Sequence, residues 1–197
     1  EGTLTVTNRE AKYEITVKAN SATATYDGKE HEAVGVETYE FTVEGNSYTV
    51  SGLSTEDPKQ KDAGSYTNNI TGTPVVTDKE GNVVTSEFEV KTENGSLEIG
   101  KAAVTLKSAT LSKKYDGNAL VNGDTALEVE SGFAEGEGAT YNFTGSQTVV
   151  GSSANAFSYE LNTDTNIENY PISKQVRTLT VTNREAKYEI TVKANSA

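Results

Sequence analysis

Hydrophobic and polar residues alternate with a period of two in several short segments of this chain. The clearest are YEITVKA (13–19), YEFTVEG (39–45), SEFEVKT (86–92) and LTVT (179–182). Such alternation is typical of strands that bury one face and expose the other. Turn-forming pairs, among them Asp27-Gly28 and Asn94-Gly95, recur about every 10 residues between these segments. Many short strands at this spacing predict an all-β fold, an antiparallel β-sandwich.

A stretch of 20 residues occurs twice in the chain. Residues 3–22 and residues 178–197 both read TLTVTNREAKYEITVKANSA, 175 positions apart. Self-similarity at a fixed period is the signature of a tandem array, in which each unit is one building block of a longer protein. We therefore expect this chain to be part of such an array.

A fainter repeat lies within this period. Tyr26-Asp27-Gly28 returns as Tyr115-Asp116-Gly117, and KYEITV (12–17) returns as KAAVTL (101–106). Further along, GSYTN (64–68) resembles GSSAN (151–155). Landmarks that keep their order indicate two diverged copies of one domain, each of roughly 90 residues and large enough for one modest core.

The repeats predict the domain organisation. Residues 11–100 and 101–185 are the two complete units, residues 1–10 are the last strand of a preceding repeat, and residues 186–197 are the first strand of a following one. The junctions lack the Pro, Gly or Ser runs of flexible spacers, which predicts two tandem domains in an elongated arrangement. The terminal segments lack the domains that would complete them, so we expect them to be loosely held or paired with neighbouring molecules.

The charge and the cysteine content exclude several classes of protein. The chain has 29 acidic and 17 basic residues, a net charge of −12, and no Cys. Nucleic-acid binding needs clustered Lys and Arg, so the acidic excess argues against it and against docking on an anionic membrane. No apolar run approaches the ~20 residues that span a bilayer, which argues against membrane insertion. Without disulfides, stability must come from packing and strand pairing.

The Tyr-Asp-Gly motif after an opening strand, the GSYTN-type segment and the closing strand NGSLEI (94–99) resemble a known family. They are similar to the YDG-type and MBG-type Ig-like tandem repeats of large bacterial surface adhesins. The resemblance implies Ig-like domains in an extracellular, cell-wall-anchored stalk of a Gram-positive bacterium, with neighbouring repeats as partners and no enzyme activity. Some surface repeat proteins of this kind bind host immunoglobulin, which leaves a host-protein-binding repeat as the alternative function.

The side-chain inventory predicts no catalytic residue, no metal site and no cofactor. His31 is the only His, and triads or zinc sites need a His beside a nucleophile or further His and Cys ligands. A surface His near a turn is the interpretation we favour. Carboxylate pairs for glycoside hydrolysis usually lie in a cleft lined by aromatics, and the chain has no Trp.

The two Tyr-Asp-Gly turns are the candidate ligand-contacting residues: Tyr26, Asp27 and Gly28, and Tyr115, Asp116 and Gly117. A structural role is the favoured interpretation. In it the Asp side chain caps its own turn, the Gly takes a positive φ, and the Tyr packs on the edge of the domain. One such pair in each domain would also make a regular binding surface.

Two stalk-stiffening devices remain as alternatives. Residues 162–168 (NTDTNIE) alternate oxygen ligands loosely like a calcium loop, although the Gly and the bidentate Glu of an EF-hand are missing. Lys12 and Lys101 are candidates for a Lys–Asn isopeptide bond, which requires the Lys, an Asn and an acid to meet in the core. For both, a solvated position is the favoured interpretation.

The residue types favour a mechanical role over recognition. A recognition surface would have clustered Tyr, Trp and Arg. This chain has no Trp, and its Arg residues are Arg9, Arg177 and Arg184. The sequence therefore favours a spacer, with weak binding by every unit as the alternative, in which repetition would supply avidity.

Overall fold

The computed structural model of this chain describes residues 2–196 and contains two compact all-β units. Unit 1 ends at Lys101 and unit 2 begins at Ala102. Between residues 2 and 196 the helices are two single 3₁₀ turns, Thr85–Glu87 and Ile167–Asn169. The predicted all-β class is confirmed.

Unit 1 contains ten strands within its described residues. They are β1 (Tyr13–Lys18), β2 (Ala22–Thr25), β3 (His31–Glu32), β4 (Glu40–Val43), β5 (Asn46–Thr55), β6 (Lys59–Gln60), β7 (Gly64–Asn68), β8 (Ile70–Asp78), β9 (Phe88–Glu93) and β10 (Gly95–Gly100).

The strands of unit 1 form several small sheets, two of which share an apolar core. Their orders are β1-β9, β2-β10-β7, β4-β5-β8 and β3-β6. Alternation along β1 places Ile15 and Val17 inward, where they pack with Val50, Val76 and Phe88. The sheet β1-β9 and the sheet β4-β5-β8 therefore share this core, as expected of a β-sandwich.

Unit 2 contains ten strands within its described residues. They are β11 (Val104–Lys107), β12 (Leu111–Lys114), β13 (Leu120–Val121), β14 (Val129–Ser131), β15 (Ala139–Phe143), β16 (Ser146–Gln147), β17 (Gly151–Ala154), β18 (Phe157–Leu161), β19 (Ile172–Gln175) and β20 (Thr178–Thr182).

The sheets of unit 2 have the orders β14-β11-β19, β12-β20-β17, β15-β18 and β13-β16. Buried hydrophobic side chains lie on the opening strand β11, on β18 and on the closing strand β20. The buried side chains include Val104, Leu106, Phe157, Leu179 and Val181.

The opening and closing strands of each unit pair in parallel, which corrects the prediction of antiparallel sheets throughout. In unit 1, β1 pairs with β9 and β2 pairs with β10. In unit 2, β11 pairs with β19 and β12 pairs with β20 in the same manner. The other strand pairs are antiparallel. Short-range alternation does not distinguish the two cases, because it reports which face of a strand is buried and not the direction of the partner strand.

A buried asparagine secures the bend at which the opening strand of unit 1 passes from one sheet to the next. Asn68 is fully buried, and its side-chain amide donates to the Asn20 carbonyl at 3.1 Å. Its Oδ1 accepts from the Asp57 backbone N–H at 3.0 Å. Gly95 lies against the same bend, and a Cβ there would be 2.2 Å from Asn20 O. Asn94-Gly95 is thus a close approach between strands and not the hairpin turn that its sequence predicted.

Unit 2 contains the same device. Asn155, the counterpart of Asn68 in the GSYTN and GSSAN segments, is fully buried. Its amide donates to the Ala109 carbonyl at 2.9 Å and to Asn122 Oδ1 at 2.8 Å. A buried backbone carbonyl without a partner is costly, so each amide stabilises the bend beside it.

In each copy of the 20-residue repeat only one half forms a strand, and the half that does so differs between the copies. In the first copy, β1 is formed and Ile15 is 3 % exposed, whereas Leu4 is fully exposed. In the second copy, β20 is formed and Leu179 is fully buried, whereas Ile190 is 87 % exposed. Residues 2–9 and 187–196 form no strand. The predicted terminal segments therefore lack a sheet partner within the residues described here.

This difference predicts unequal effects for the same Leu→Ala substitution at equivalent positions of the two copies. Leu179→Ala removes a buried side chain and should lower the free energy of unfolding of unit 2 by about 2–5 kcal/mol. Leu4→Ala, its matched control, should change stability by less than about 0.5 kcal/mol. Urea unfolding followed by circular dichroism measures both values. Equal effects of the two substitutions would contradict the assignment of Leu179 to the core of unit 2.

The buried amides give a second prediction. Asn68→Ala and Asn155→Ala should each destabilise their own unit by about 1–3 kcal/mol, because a backbone carbonyl then loses its partner. Urea unfolding is again the measurement, with Asn142→Ala at an exposed strand position as the control. Destabilisation no greater than that of the control would mean that the bends do not depend on these amides.

Candidate functional site

The first Tyr-Asp-Gly turn follows β2. Asp27 Oδ1 accepts from the Lys29 backbone N–H at 2.9 Å, and Gly28 has a φ of +77°. The predicted turn chemistry is therefore confirmed at this position. Tyr26 is 4 % exposed, so its ring belongs to the interior of the unit. A ligand at this turn would meet Asp27 rather than the Tyr26 ring.

His31 lies beside this turn, as the sequence predicted, and its Nε2 is 2.8 Å from Asp27 Oδ1. The imidazole is partly exposed, with 26 % of its side chain accessible. The Lys29 backbone N–H, followed by the bond to His31, holds the pKa of Asp27 below its usual range. The pair thus places a carboxylate that is readily ionised next to the only imidazole.

The second turn repeats the backbone arrangement with other side chains. Asp116 Oδ1 accepts from the Asn118 backbone N–H at 2.9 Å and from Lys113 Nζ at 2.7 Å, and Gly117 has a φ of +83°. The bond to Lys113, followed by that from Asn118, lowers the pKa of Asp116. Tyr115 is half-buried here, unlike Tyr26. The two turns therefore share a shape but do not present the same aromatic surface.

Tyr115 lines a cavity of about 230 Å³ at the end of unit 2. Arg184 and Tyr188, from the second copy of the 20-residue repeat, line it too, together with Val150. The ring centroids of Tyr115 and Tyr188 are 6.4 Å apart, in an edge-to-face arrangement. This turn thus contacts the segment that follows the last strand of the unit.

In segment 162–168, which resembles a calcium loop in sequence, two side-chain oxygen atoms accept hydrogen bonds from backbone N–H groups. Asn166 Oδ1 accepts from the Glu168 backbone N–H at 3.0 Å, and the buried Thr165 Oγ1 accepts from the Gly138 N–H at 2.9 Å. Over residues 2–196, no group of three or more His, Cys, Asp or Glu is placed to hold a metal ion. The side-chain oxygens here thus stabilise a loop before the 3₁₀ turn.

The isopeptide alternative is wrong for the two lysines that suggested it. Lys12 and Lys101 are both exposed, whereas such a bond requires its lysine in the core. The buried asparagines Asn68 and Asn155 bind backbone carbonyls instead.

An arginine–tyrosine clamp occurs in both copies of the 20-residue repeat and was not predicted. In the first copy, Arg9 Nε donates to Ala11 O at 2.8 Å, and a terminal guanidinium nitrogen donates to Tyr13 Oη at 2.9 Å. The guanidinium carbon lies 3.9 Å from the Tyr13 ring centroid, a cation–π contact. The sequence signal for this clamp is an Arg four positions before a Tyr in both copies.

The clamp borders a cavity of about 400 Å³ in unit 1. Val6, Tyr13, Tyr48, Val83 and Phe88 contribute apolar surface to it. Tyr13 Oη donates to Glu44 Oε2 at 2.8 Å, and this bond is the main cause that raises the pKa of the Tyr13 phenol. The ring of Tyr13 lies 5.5 Å from that of Phe88.

None of the helical turns between residues 2 and 196 has the length and apolar character that crossing a membrane requires.

Comparisons with protein-family models, characterised proteins and solved structures found no match to this chain. The class of protein is therefore defined by the structure itself: an all-β chain of two units whose opening and closing strands run parallel.

The turn carboxylates predict a pH dependence of stability. The ordinary pKa of an Asp carboxyl is 3.8, and the pKa values of Asp27 and Asp116 are lower in the folded chain. Such a carboxyl stabilises the fold at pH values above 3.8. This stabilisation is lost as the pH falls through the lower, folded pKa. Asp27→Asn and Asp116→Asn keep an acceptor oxygen but cannot titrate. Each should therefore reduce the fall in melting temperature between neutral pH and the range below 3.8.

Melting followed by circular dichroism across this range is the measurement. Asp124→Asn, at an exposed loop position, removes one carboxyl as the control. An unchanged pH profile in both turn variants would contradict a role of these carboxylates in stability.

Proposed function

We propose that this chain is a non-catalytic tandem-repeat segment of a bacterial surface protein that acts as the stalk or spacer of an adhesin. Its units are Ig-like β-sandwich domains in an elongated array. The array lies outside the cell, anchored to the wall of a Gram-positive bacterium. Its partners are the neighbouring repeats of the same chain.

The parallel pairing of opening and closing strands carries this proposal. In unit 1, β1 and β9 run side by side from Tyr13 with Phe88 to Lys18 with Glu93, and β2 and β10 continue in the same direction. The chain therefore enters the unit at one end and leaves it at the other. Unit 2 has the same arrangement in β11, β12, β19 and β20. Domains with this connection are suited to a linear series.

The duplicated 20-residue repeat supports continuation of such a series. Its first half completes unit 2 as β20, and its second half opens unit 1 as β1. A copy that follows unit 2 therefore carries the opening strand of another domain like unit 1. The acidic surface, with a net charge of −12, favours repulsion between arrays and an extended state.

The alternative is a repeat that binds a host protein, such as immunoglobulin, through avidity. The observation that favours it is the recurrence of an exposed turn carboxylate, Asp27 and Asp116, once in each unit. The different exposure of Tyr26 and Tyr115 weakens it, because the two turns present different surfaces.

A capture experiment separates the two functions. The chain is immobilised and exposed to serum and to mucosal secretions, and retained proteins are identified by mass spectrometry. For a spacer we expect no protein retained at micromolar affinity or better. The double variant Asp27→Ala, Asp116→Ala is the matched control. Immunoglobulin retained by the parent and lost by the variant would replace the spacer with the binding function.

Small-angle scattering tests the elongated arrangement in the same preparation. A stalk requires a maximum dimension well above that of one domain. The longest strand, β5, has 10 residues, and at ~3.3 Å each this makes one domain roughly 30–40 Å long once turns are included. Scattering from a compact pair of domains would contradict the stalk.

A further inference from the structure

The segment between the two halves of the 20-residue repeat has the same conformation in both copies. In the second copy, Arg184 Nε donates to Ala186 O at 3.0 Å, and a guanidinium nitrogen donates to Tyr188 Oη at 3.0 Å. The guanidinium carbon lies 3.9 Å from the Tyr188 ring centroid, the same value as in the Arg9–Tyr13 clamp. Bends occur at residues 10 and 11 and again at residues 185 and 186.

This agreement is informative because the two copies have different folded neighbours. In the first copy the strand after the clamp is folded and the segment before it is exposed; in the second copy the reverse holds. The conformation of the segment therefore depends on its own residues rather than on either neighbour.

The first copy contacts the body of unit 1. The Arg9 backbone N–H donates to Glu87 Oε2 at 2.8 Å, and Tyr13 Oη donates to Glu44 Oε2 at 2.8 Å. The Tyr13 ring packs near Phe88. These contacts connect the segment to the domain that follows it.

The second copy contacts the body of unit 2. Lys114 forms an ion pair with Glu185, and the Tyr115 backbone N–H donates to Thr182 O at 2.9 Å. The Tyr188 ring meets Tyr115 edge to face. These contacts connect the same segment to the domain that precedes it.

We propose that the end surface of unit 2, formed by Lys114, Tyr115 and Val150, receives a following domain with the sequence of unit 1. The preformed clamp of Arg184 and Tyr188 is the joint between the two. Tyr188 keeps its contact with Tyr115 and takes up the Glu44 and Phe88 counterparts of the new domain. Val150 and Tyr188 are about half exposed here, at 48 % and 56 %, and become covered. The joint is stiff because the clamp segment contacts both the preceding domain and the following one.

The stiff joint rests on the proposed function, because it requires that the units form a tandem array. It adds that the connection is a specific interface and not a flexible tether. Without the clamp, residues 183–187 would behave as a flexible coil. The end-to-end distance of such a coil is on the order of 10 Å, and the distance between the two domains would vary on that scale.

The test extends the whole chain by residues 23–101 after Ala197. Because residues 178–197 equal residues 3–22, this addition completes a second copy of unit 1. The chain has no Cys, so Ser158→Cys in unit 2 and Thr42→Cys in the added unit give two unique labelling positions, both exposed. Double electron–electron resonance between nitroxide labels then measures the distribution of distances across the joint.

We expect one narrow distribution in the extended parent chain. Arg184→Ala should broaden it to a spread on the order of 10 Å, that of a free linker. Arg9→Ala is the matched control, because it removes the same side chain from the same sequence at a position outside this joint, and it should leave the distribution narrow. Tyr115→Ala should broaden it, since it removes the contact on unit 2. Circular dichroism checks that each variant is folded.

A parent distribution as broad as that of Arg184→Ala would overturn the proposal, as would a narrow distribution in Arg184→Ala or Tyr115→Ala. None of these results depends on ligand capture, so the joint and the spacer function fail separately. A flexible joint would leave the capture result unaffected, and retained immunoglobulin would leave the distance distributions unaffected.

Discussion

The parallel pairing between the opening and closing strands is the constraint on which the rest of each unit depends. Parallel partners cannot be joined by a hairpin, so a long connection must lie between them, and here that connection is the rest of the domain. In unit 1 the intervening chain from β3 to β8 folds as antiparallel strands and supplies Val50 and Val76 to the core that β1 closes. The same pairing separates the entrance of the chain from its exit. Architecture and connectivity thus follow from one set of backbone hydrogen bonds.

At the bends, where the opening strands leave one sheet for another, backbone carbonyls need hydrogen-bond donors from outside the sheets. The Asn20 and Ala109 carbonyls lie at these bends, and Asn68 and Asn155 satisfy them from the interior. An amide is suited to the position because it donates to a backbone carbonyl without carrying a charge into the core. The buried asparagines therefore let each opening strand contribute to two sheets.

The 20-residue repeat separates local preference from tertiary context. Its two copies have the same propensities, yet the YEITVK half is a strand only where β9 lies beside it, and the TLTVT half only where β12 and β17 do. β propensity measures how well a residue fits a pleated, half-buried surface, so without that surface it produces no strand. The clamp of Arg9 with Tyr13, repeated by Arg184 and Tyr188, shows the opposite behaviour, because its contacts lie within five residues and need no partner strand.

The sequence by itself determined the features that depend on neighbouring residues. Alternation predicted β1, β4, β9 and β20, and the Asp-Gly pairs predicted the capped turns at Asp27 and Asp116. Only the tertiary structure decided the parallel pairing, the role of Gly95 at a bend, and the burial of Tyr26 as opposed to the partial exposure of Tyr115. The reason is physical: turns and alternation arise within a few residues, whereas a strand's direction of pairing and a side chain's burial depend on partners some 70 positions away, such as Phe88 opposite Tyr13.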